Sequence, residues 1–348
     1  MRKQLKDSKK RFCTLKDVAS LAGVSYATVS NYLNRRELLK KDTAGRVADA
    51  IKKLKYTPAL TARQLKLQQT DIIGIIVPDI VNNYFATVSK TIEEIMRKNG
   101  FETVIYNTNY LPGEEESALD FFISKRIRGL MLMSIRREFK RLSSVIENHR
   151  LPVVVIDNYV RGLGSWTIVQ DNYRGAYRLI DHLAREHGYR DIAFISSDSK
   201  VTTVRERIKG YISALEDNQI PVNEDYIVEG SFDPGHGYEA AIRLLEMKKH
   251  PRAISASTSM YSIGILKAIN SKKLRIPEDI AVTSFDDYDF AEVTDPSITA
   301  LKRVDHVMGE KAAGIMLELI NGRLEIKNEA IRIDTPLITR RSCGCGVK

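Results

Sequence analysis

The chain has 348 residues, 43% hydrophobic and 28% charged, with a formal net charge of +10, which excludes a single small module and a disordered chain and fits two or three domains. The longest apolar runs, at 72–77 and 151–156, hold six residues each, far below the roughly 20 that a membrane-spanning helix requires. No apolar stretch of signal-peptide length follows the basic amino terminus, and three cysteines make no disulfide framework, so we expect a cytoplasmic protein.

The excess positive charge is concentrated near the amino terminus. Residues 1–70 hold 17 Lys and Arg against 5 Asp and Glu, whereas the remaining 278 residues hold 37 basic and 39 acidic side chains. Because neutralising phosphates releases counterions, a basic segment of this kind is expected to contact DNA or RNA. Residues 1–13 alone are typical of a solvated basic tail.

Residues 14–57 carry the pattern of a helix-turn-helix. Thr14 begins a Thr-x-x-Asp capping box, so a helix should start directly after it, and Gly23 supplies the left-handed residue that ends this helix. Ser25 can cap a second helix. A third helix over roughly 42–54 follows from apolar residues spaced four and three apart, which can cover the first two helices.

The second helix is the element expected to enter the major groove of DNA. The side chains expected on its outer face are Tyr26, Ala27 and Asn31. An asparagine can form two hydrogen bonds to an adenine edge, a tyrosine can bond or stack, and an alanine accepts a thymine methyl group. The polar residues expected at phosphates or helix caps, which set register without reading sequence, are Thr14, Ser25, Thr28, Ser30 and Asn34. The alternative is that Asn31 is a surface residue without a base contact.

From residue 71 onward, short β-branched runs alternate with amphipathic helices. The first series has strands at 72–77, 102–106 and 129–133 and helices at 84–98 and 114–125. The second series follows Asp171, with helices at 173–187 and 203–217 and strands at 192–195, 226–228, 253–256 and 280–284. This alternation predicts an α/β fold with two doubly wound parallel-sheet lobes, which bind ligands at the carboxyl ends of their strands.

The segment TLKDVASLAGVSYATVSNYLN at 14–34 resembles the amino-terminal signature of the lactose and galactose repressor family. The resemblance continues through YTPALTARQL at 56–65 and reaches SCGC at 342–345. It implies a homodimeric, DNA-binding transcription regulator with a periplasmic-binding-protein-like core. We expect a repressor whose operator affinity is controlled by a small molecule bound between the two lobes. The implied partners are a pseudo-palindromic double-stranded DNA operator and a small-molecule effector, with no cofactor.

The resemblance and the element pattern together divide the chain into five parts. These are a basic tail (1–13), the helix-turn-helix domain (14–57), a hinge helix and linker (58–70), the two-lobed core (71–340) and a tail (341–348). Within the core, the first lobe takes about 71–171 and 301–330, and the second about 172–300 and 331–340.

The hinge is the part for which the resemblance implies most. Its residues have weak helical periodicity after Pro58, but so short a helix is marginal alone, and an ordinary linker is the alternative. In the family this helix orders on DNA, pairs with its copy in the other subunit and inserts a leucine into the minor groove. The matching residue here is Leu65, beside Arg63, and such a wedge kinks the duplex. Packing of Leu65 against the core is the alternative.

The candidate effector residues follow strands or lie on loops: Tyr84, Phe85, Asn107, Ser134, Arg207, Phe232 and Asp286. Aromatic faces and a few charged groups suit a polar small molecule, and the resemblance places Arg207, Phe232 and Asp286 where family members hold their effectors. We therefore expect a sugar or sugar derivative, although Ser257 and Thr258 stand where many relatives carry Asn-Asp. Alternatively, Phe85 is core, Arg207 is an ion-paired surface residue and Asp286 is a cap.

An enzyme is the competing class. The chain lacks a dinucleotide-binding glycine motif, a phosphate loop and a nucleophile elbow. His182 and His187 are five residues apart, which places them on different sides of a helix, and Cys343-x-Cys345 is too sparse to hold a metal. We therefore expect neither a metal site nor an enzyme. A sugar-binding or sugar-modifying protein with a nonspecific nucleic-acid-binding arm is the alternative function.

Overall fold

A computed structural model of the chain describes residues 13–34, 36–56, 70–136 and 138–346. The chain divides into two compact units, one ending at Thr70 and the other beginning at Asp71. The hinge residues Arg63 and Leu65 lie outside the described residues. Throughout the described part, no helix has both the length and the apolar character needed to cross a lipid bilayer.

The described residues of the first unit form three helices joined by short turns. Its elements are α1 (Leu15–Ala22), α2 (Tyr26–Asn34), a 3₁₀ turn (Arg36–Leu38) and α3 (Lys41–Leu54). Each helix contributes one fully buried valine to a common core, namely Val18, Val29 and Val47. The predicted helix-turn-helix with a covering third helix is therefore confirmed.

The ends of α1 are set by the residues that the sequence indicates. The Thr14 hydroxyl oxygen accepts the Asp17 N–H at 3.4 Å, and the Asp17 carboxylate accepts the Thr14 N–H at 2.7 Å. Beyond the last turn, Gly23 has a φ of +62°, in the left-handed region that favours glycine. The predicted capping box and the predicted glycine end of α1 are both confirmed.

We expect Thr14→Ala to lower the free energy of local unfolding of α1 by about 1 kcal/mol, because a helix-start amide loses its acceptor. Thr14→Ser keeps the hydroxyl and is the matched control. Hydrogen exchange of the α1 amides in the full-length protein, read by mass spectrometry, measures the difference. Equal exchange rates in the two variants would contradict the capping role.

The second unit contains two lobes. In chain order it begins with β1 (Ile72–Val77), α4 (Asn83–Lys98), β2 (Glu102–Asn107), α5 (Pro112–Ser124), β3 (Gly129–Leu132), α6 (Lys140–His149), β4 (Val153–Ile156) and β5 (Trp166–Gln170). It continues with α7 (Asn172–Glu186), β6 (Ile192–Ser197), α8 (Thr202–Asp217), β7 (Ile227–Gly230), α9 (Pro234–Leu245), β8 (Ala253–Ala256), α10 (Ser259–Ser271), β9 (Ala281–Asp286) and β10 (Thr299–Leu301). It ends with α11 (Asp305–Ile320), β11 (Glu329–Ile333), β12 (Leu337–Ile338) and a 3₁₀ turn (Arg341–Cys343).

The first lobe is a six-stranded parallel sheet in the order β11-β5-β4-β3-β1-β2, with helices on both faces. Strand β1 shows why the chain forms this structure. Ile73 and Ile75 pack into one apolar cluster and Ile76 packs into the cluster on the opposite face. A strand covered on both sides reads as a continuous apolar run rather than an alternating one.

The second lobe repeats this design in the order β12-β10-β9-β8-β6-β7. Its pairs are parallel except for the short β12, which runs antiparallel to β10. Two buried clusters again cover the faces of the sheet, with Ile195 and Ile254 in one and Phe194 in the other. The predicted pair of α/β lobes is confirmed.

The chain passes between the lobes near Asp171, between 301 and 305, and between 333 and 337. The third passage differs from the predicted one. Residues 331–333 were expected in the second lobe, but β11 pairs along its whole length with β5 in the first lobe. The local sequence of β11 does not indicate which lobe it joins, because its partner strand β5 lies more than 150 residues earlier in the chain.

The end of helix α7 contradicts a second expectation. Helix α7 ends at Glu186, so His187 lies beyond the last helical turn. The helical angle between positions five apart therefore does not apply, and the His182 and His187 ring centroids are 5.0 Å apart. The prediction that these two side chains diverge is wrong.

Candidate functional site

The outer face of α2 carries the three side chains predicted to reach base edges. Tyr26 is 50% exposed, and Ala27 and Asn31 are also exposed. On the inner side of the same helix, Val29 is fully buried. Since α2 packs through that inner side, its outer face is available to the major groove, as in a recognition helix.

The other polar residues predicted at phosphates or helix caps lie directly before helices α1 and α2 or within α2. The Ser25 hydroxyl oxygen accepts the Thr28 N–H at 3.1 Å, so Ser25 caps α2 while staying exposed. Thr14 is engaged in the α1 cap, Ser30 is half-buried, and Asn34 is the last residue of α2. These positions suit the setting of register on a backbone rather than base reading.

A cavity of about 720 Å³ lies between the two lobes of the second unit, within the usual range for a small-molecule site. It is lined by residues at the carboxyl ends of strands from both sheets, where doubly wound folds bind ligands. Five of the predicted effector residues line this cavity, namely Tyr84, Phe85, Arg207, Phe232 and Asp286.

Arg207, on α8, is held in one orientation at the cavity wall. Its Nε donates to Asn172 Oδ1 at 2.8 Å, and its Nη1 donates to the Ser257 carbonyl oxygen. Its guanidinium carbon lies 3.6 Å from the centre of the Phe285 ring. A planar cation that is stacked and pinned in this way gives up little conformational freedom when it binds a carboxylate, a phosphate or a hydroxyl group.

Two carboxylates share the cavity with this cation. Burial raises the pKa of Asp157 and of Asp286, and the positive charge of Arg207 opposes the shift only in part. The folded core therefore favours the protonated form of both acids. This preference stabilises the fold fully at pH values below the ordinary carboxyl pKa, and the stabilisation is lost as the pH rises through the raised pKa of the folded state. Titratable groups whose pKa is shifted by burial beside a specific charged partner are typical of functional sites.

The aromatic residues supply the apolar part of the cavity. Burial and then the neighbouring Asp157 raise the pKa of Tyr84 well above its ordinary value, so its phenol stays a neutral donor. Tyr110 of the first lobe and Phe232 of the second bring their ring centroids to 5.7 Å from each other across the cleft. This ring contact joins the lobes, and any opening of the cleft must break it.

Two predicted effector residues lie elsewhere. Asn107 ends β2, an edge strand, and its side chain accepts the Ile80 N–H and donates to Asn109. Ser134 is buried and donates to the Glu115 carboxylate. Both lie at or just beyond strand ends as predicted, but neither lines the cavity. Hydrogen bonds with Ile80 and Asn109 hold the side chain of Asn107, and the Glu115 carboxylate holds that of Ser134.

Sequence reasoning missed Asp157 and Ser257. Asp157 directly follows β4 with a φ of +74°, and the Ser257 hydroxyl is buried at the cavity without a hydrogen-bond partner. Both sit at the carboxyl ends of buried strands. Their position could have been read from the sequence, because Asp157 directly follows the apolar run at 151–156.

An exposed recognition helix in a basic unit, together with a two-lobed core around a polar cavity, defines a ligand-responsive DNA-binding regulator. Two family descriptions match the chain, "Bacterial regulatory proteins, lacI family" at 14–59 and "Periplasmic binding protein-like domain" at 180–343. The HTH-type transcriptional repressor PurR of Histophilus somni (strain 2336) is 32% identical over 330 residues, covering 94% of this chain and 98% of that protein. PurR of Haemophilus influenzae (strain PittEE) is 33% identical over 331 residues, with the same coverage of 94% and 98%.

The chain therefore belongs to the lacI family of bacterial regulatory proteins. It is a DNA-binding transcriptional repressor with a small-molecule-binding core, not an enzyme, and the cytoplasmic location expected from the sequence agrees with that class.

Solved structures share the fold. The lac repressor dimer bound to operator and the anti-inducer ONPF has a TM-score of 0.84 at 22% identity, covering 96% of this chain and 99% of that one. The complex of the transcriptional regulator CelR with cellobiose has a TM-score of 0.70 at 25% identity, covering 95% and 99%.

Proposed function

We propose that this repressor reads a specific pseudo-palindromic operator through α2 and that a small molecule in the cavity changes its operator affinity. One observation carries the proposal: α2 exposes Tyr26, Ala27 and Asn31 together on one face. These three side chains offer an aromatic hydroxyl, a methyl group and an amide, which are different ways of contacting base edges. The excess positive charge of residues 1–70 supports general affinity for the phosphate backbone.

We propose a sugar or sugar derivative as the effector. Arg207, Asp157 and Asp286 can exchange hydrogen bonds with several hydroxyl groups, and the faces of Tyr84 and Phe232 can pack against a sugar ring. The solved complex of the related regulator CelR contains cellobiose, which supports this chemical class.

A thermal-shift screen of sugars, nucleosides and amino acids tests the effector class, because a ligand that binds only the folded state raises the melting temperature. A shift produced by nucleosides or amino acids, with none from sugars, contradicts the sugar assignment. It leaves the cavity itself as the binding site.

We also propose that the chain acts as a homodimer, since a pseudo-palindromic operator presents two half-sites to two copies of α2. Arg63 and Leu65 are proposed as the minor-groove residues of a hinge helix that pairs with its copy. Their local sequence, apolar at one-turn intervals after Pro58, supports that role.

The operator proposal is tested by comparing a selected palindromic DNA with random DNA of equal length across a salt series. We expect at least a ~10³-fold preference for the palindrome at physiological salt. Equal affinity for the two DNAs at every salt concentration contradicts sequence-specific binding. That outcome instead supports the sugar-binding protein with a nonspecific nucleic-acid arm.

We expect Asn31→Ala to weaken binding to the selected operator by about tenfold, or about 1.4 kcal/mol, since one base loses a bidentate partner. Affinity for random DNA should stay nearly unchanged. Ser20→Ala, which removes an exposed polar side chain from α1, is the control. Fluorescence anisotropy at fixed salt measures both, and an equal loss on both DNAs would show that Asn31 reads no base.

A further inference from the structure

Four metal-binding side chains converge at the carboxyl end of the second lobe. Two come from the end of α7 and two from the last turn of the chain, and we call them the Cys-His cluster: His182, His187, Cys343 and Cys345. The cluster lies outside the residues that line the effector cavity. Its four ligand atoms all lie within 4.8 Å of one another.

Three sulfur–nitrogen distances within the cluster are close to the edge length of a zinc-centred tetrahedron. His182 Nε2 lies 3.4 Å from Cys343 Sγ and 3.5 Å from Cys345 Sγ. His187 Nε2 lies 3.3 Å from Cys345 Sγ. With Zn–S near 2.3 Å and Zn–N near 2.0 Å, a tetrahedral site has sulfur–nitrogen edges of about 3.5 Å.

Ordinary thiol–imidazole hydrogen bonds explain this arrangement less well. A one-to-one bond needs only one sulfur for each nitrogen, yet His182 Nε2 contacts both sulfurs. Cys345 Sγ in turn contacts both ring nitrogens. Atoms that share neighbours in this way face a common centre, as metal ligands do.

The chain around the cysteines is shaped to present them. Gly344 has a φ of +108°, and a Cβ at that position would lie 3.1 Å from His187 Nδ1. This left-handed residue turns the chain so that both flanking thiols reach the histidines. The Ser342 hydroxyl donates to the Val282 carbonyl and accepts the Thr299 N–H, which fixes the turn to the sheet.

A second layer of contacts supports the sulfur of Cys343. Its side chain is fully buried, and Thr299 Oγ1 lies 3.1 Å from the Sγ atom, within donating distance. Hydroxyl donors of this kind orient thiolate ligands and stabilise their charge. Free Cys343 and Cys345 thiols are both present for such a role.

We propose that the Cys-His cluster binds one zinc ion in tetrahedral coordination. Two thiolates and two imidazoles are the ligand set that selects zinc over magnesium or calcium. Four protein ligands leave no position for substrate or water, so the site is structural. It fastens the last turn of the chain to α7, whose first residue, Asn172, holds Arg207 at the cavity.

The test begins with full-length protein stripped of metal by a chelator, incubated with excess zinc chloride and desalted. We expect about one zinc per chain by elemental analysis and a melting temperature at least about 5 °C higher than that of the stripped protein. Cobalt in place of zinc should give the strong visible absorption of a tetrahedral thiolate site. Less than about 0.1 zinc per chain would overturn the proposal.

Variants assign the ligands. Cys343→Ser together with Cys345→Ser should reduce zinc content at least about tenfold, whereas Cys13→Ser, which removes the remaining thiol, should leave it unchanged. Because the double variant could fail to fold, thiol alkylation of the wild-type chain provides a second readout. Zinc should protect Cys343 and Cys345 but not Cys13. Equal labelling with and without zinc, or a Cys343–Cys345 disulfide in the freshly purified protein, contradicts the site.

Discussion

We expect effector binding to fall by at least about 100-fold when Arg207 is replaced by methionine, whereas effector-free operator binding should stay within about twofold. A hydrogen bond to a charged group contributes roughly 1.5 to 3 kcal/mol, and removing one partner of a buried charge pair costs roughly 3 to 5 kcal/mol. Arg207 is the cation that partly offsets the burial of Asp157 and Asp286. Its loss therefore removes a ligand contact and the largest positive charge that acts on Asp157 and Asp286.

Lys209→Met is the matched control for this experiment. It removes one positive charge from the same helix at an exposed position. Isothermal calorimetry with the effector from the screen measures affinity, and thermal unfolding checks that each variant is folded. If Arg207→Met binds the effector as tightly as Lys209→Met does, Arg207 serves only to brace Phe285 and Asn172.

Local sequence patterns predicted most of the elements because their signals lie within a few residues. β1 was predicted with its observed bounds, because a short apolar run rich in β-branched residues is typical of a buried strand. The capping box at Thr14 and the left-handed Gly23 likewise set the ends of α1. The position of β11 had no such signal, because its partner β5 is distant in the chain.

The effector cavity was predictable only in part, because strand-end position alone does not decide which side chains face it. Asp286 ends a strand at the cavity, and Arg207 reaches the cavity from helix α8. Asn107 also ends a strand, but its side chain is bonded to Ile80 and Asn109. The direction of each side chain depends on its tertiary contacts, which no local pattern reports.

The Cys-His cluster was missed because its two halves were judged separately. Neither the histidine pair, with its unfavourable helical spacing, nor the Cys-x-Cys segment by itself predicts a metal site. The two halves are more than 150 residues apart in the chain and meet because the last turn is bonded to Thr299 and Val282. Ligand sets assembled by tertiary packing escape any count of local spacings.

The last expected result concerns coupling between cavity and operator, and it rests on the proposed function. Effector affinity measured with saturating operator should differ from that measured without DNA by roughly 5- to 150-fold, the usual range of allosteric coupling. An effector can shift operator affinity only through its unequal affinity for two conformations. Thermodynamic linkage then requires the operator to change effector affinity by the same factor. The Tyr110–Phe232 ring contact across the cleft is one place where two such conformations would differ.

Calorimetry at fixed salt gives both effector affinities, and fluorescence anisotropy gives operator affinity with and without effector. Asp286→Ala should weaken the effector and leave effector-free operator binding nearly unchanged, because Asp286 lines the cavity. A chain lacking residues 1–70 should still bind the effector, since these residues form a separate compact unit. Equal effector affinities with and without operator, while the effector still binds, would refute the coupling. The chain would then be a repressor whose cavity ligand has no effect on operator affinity.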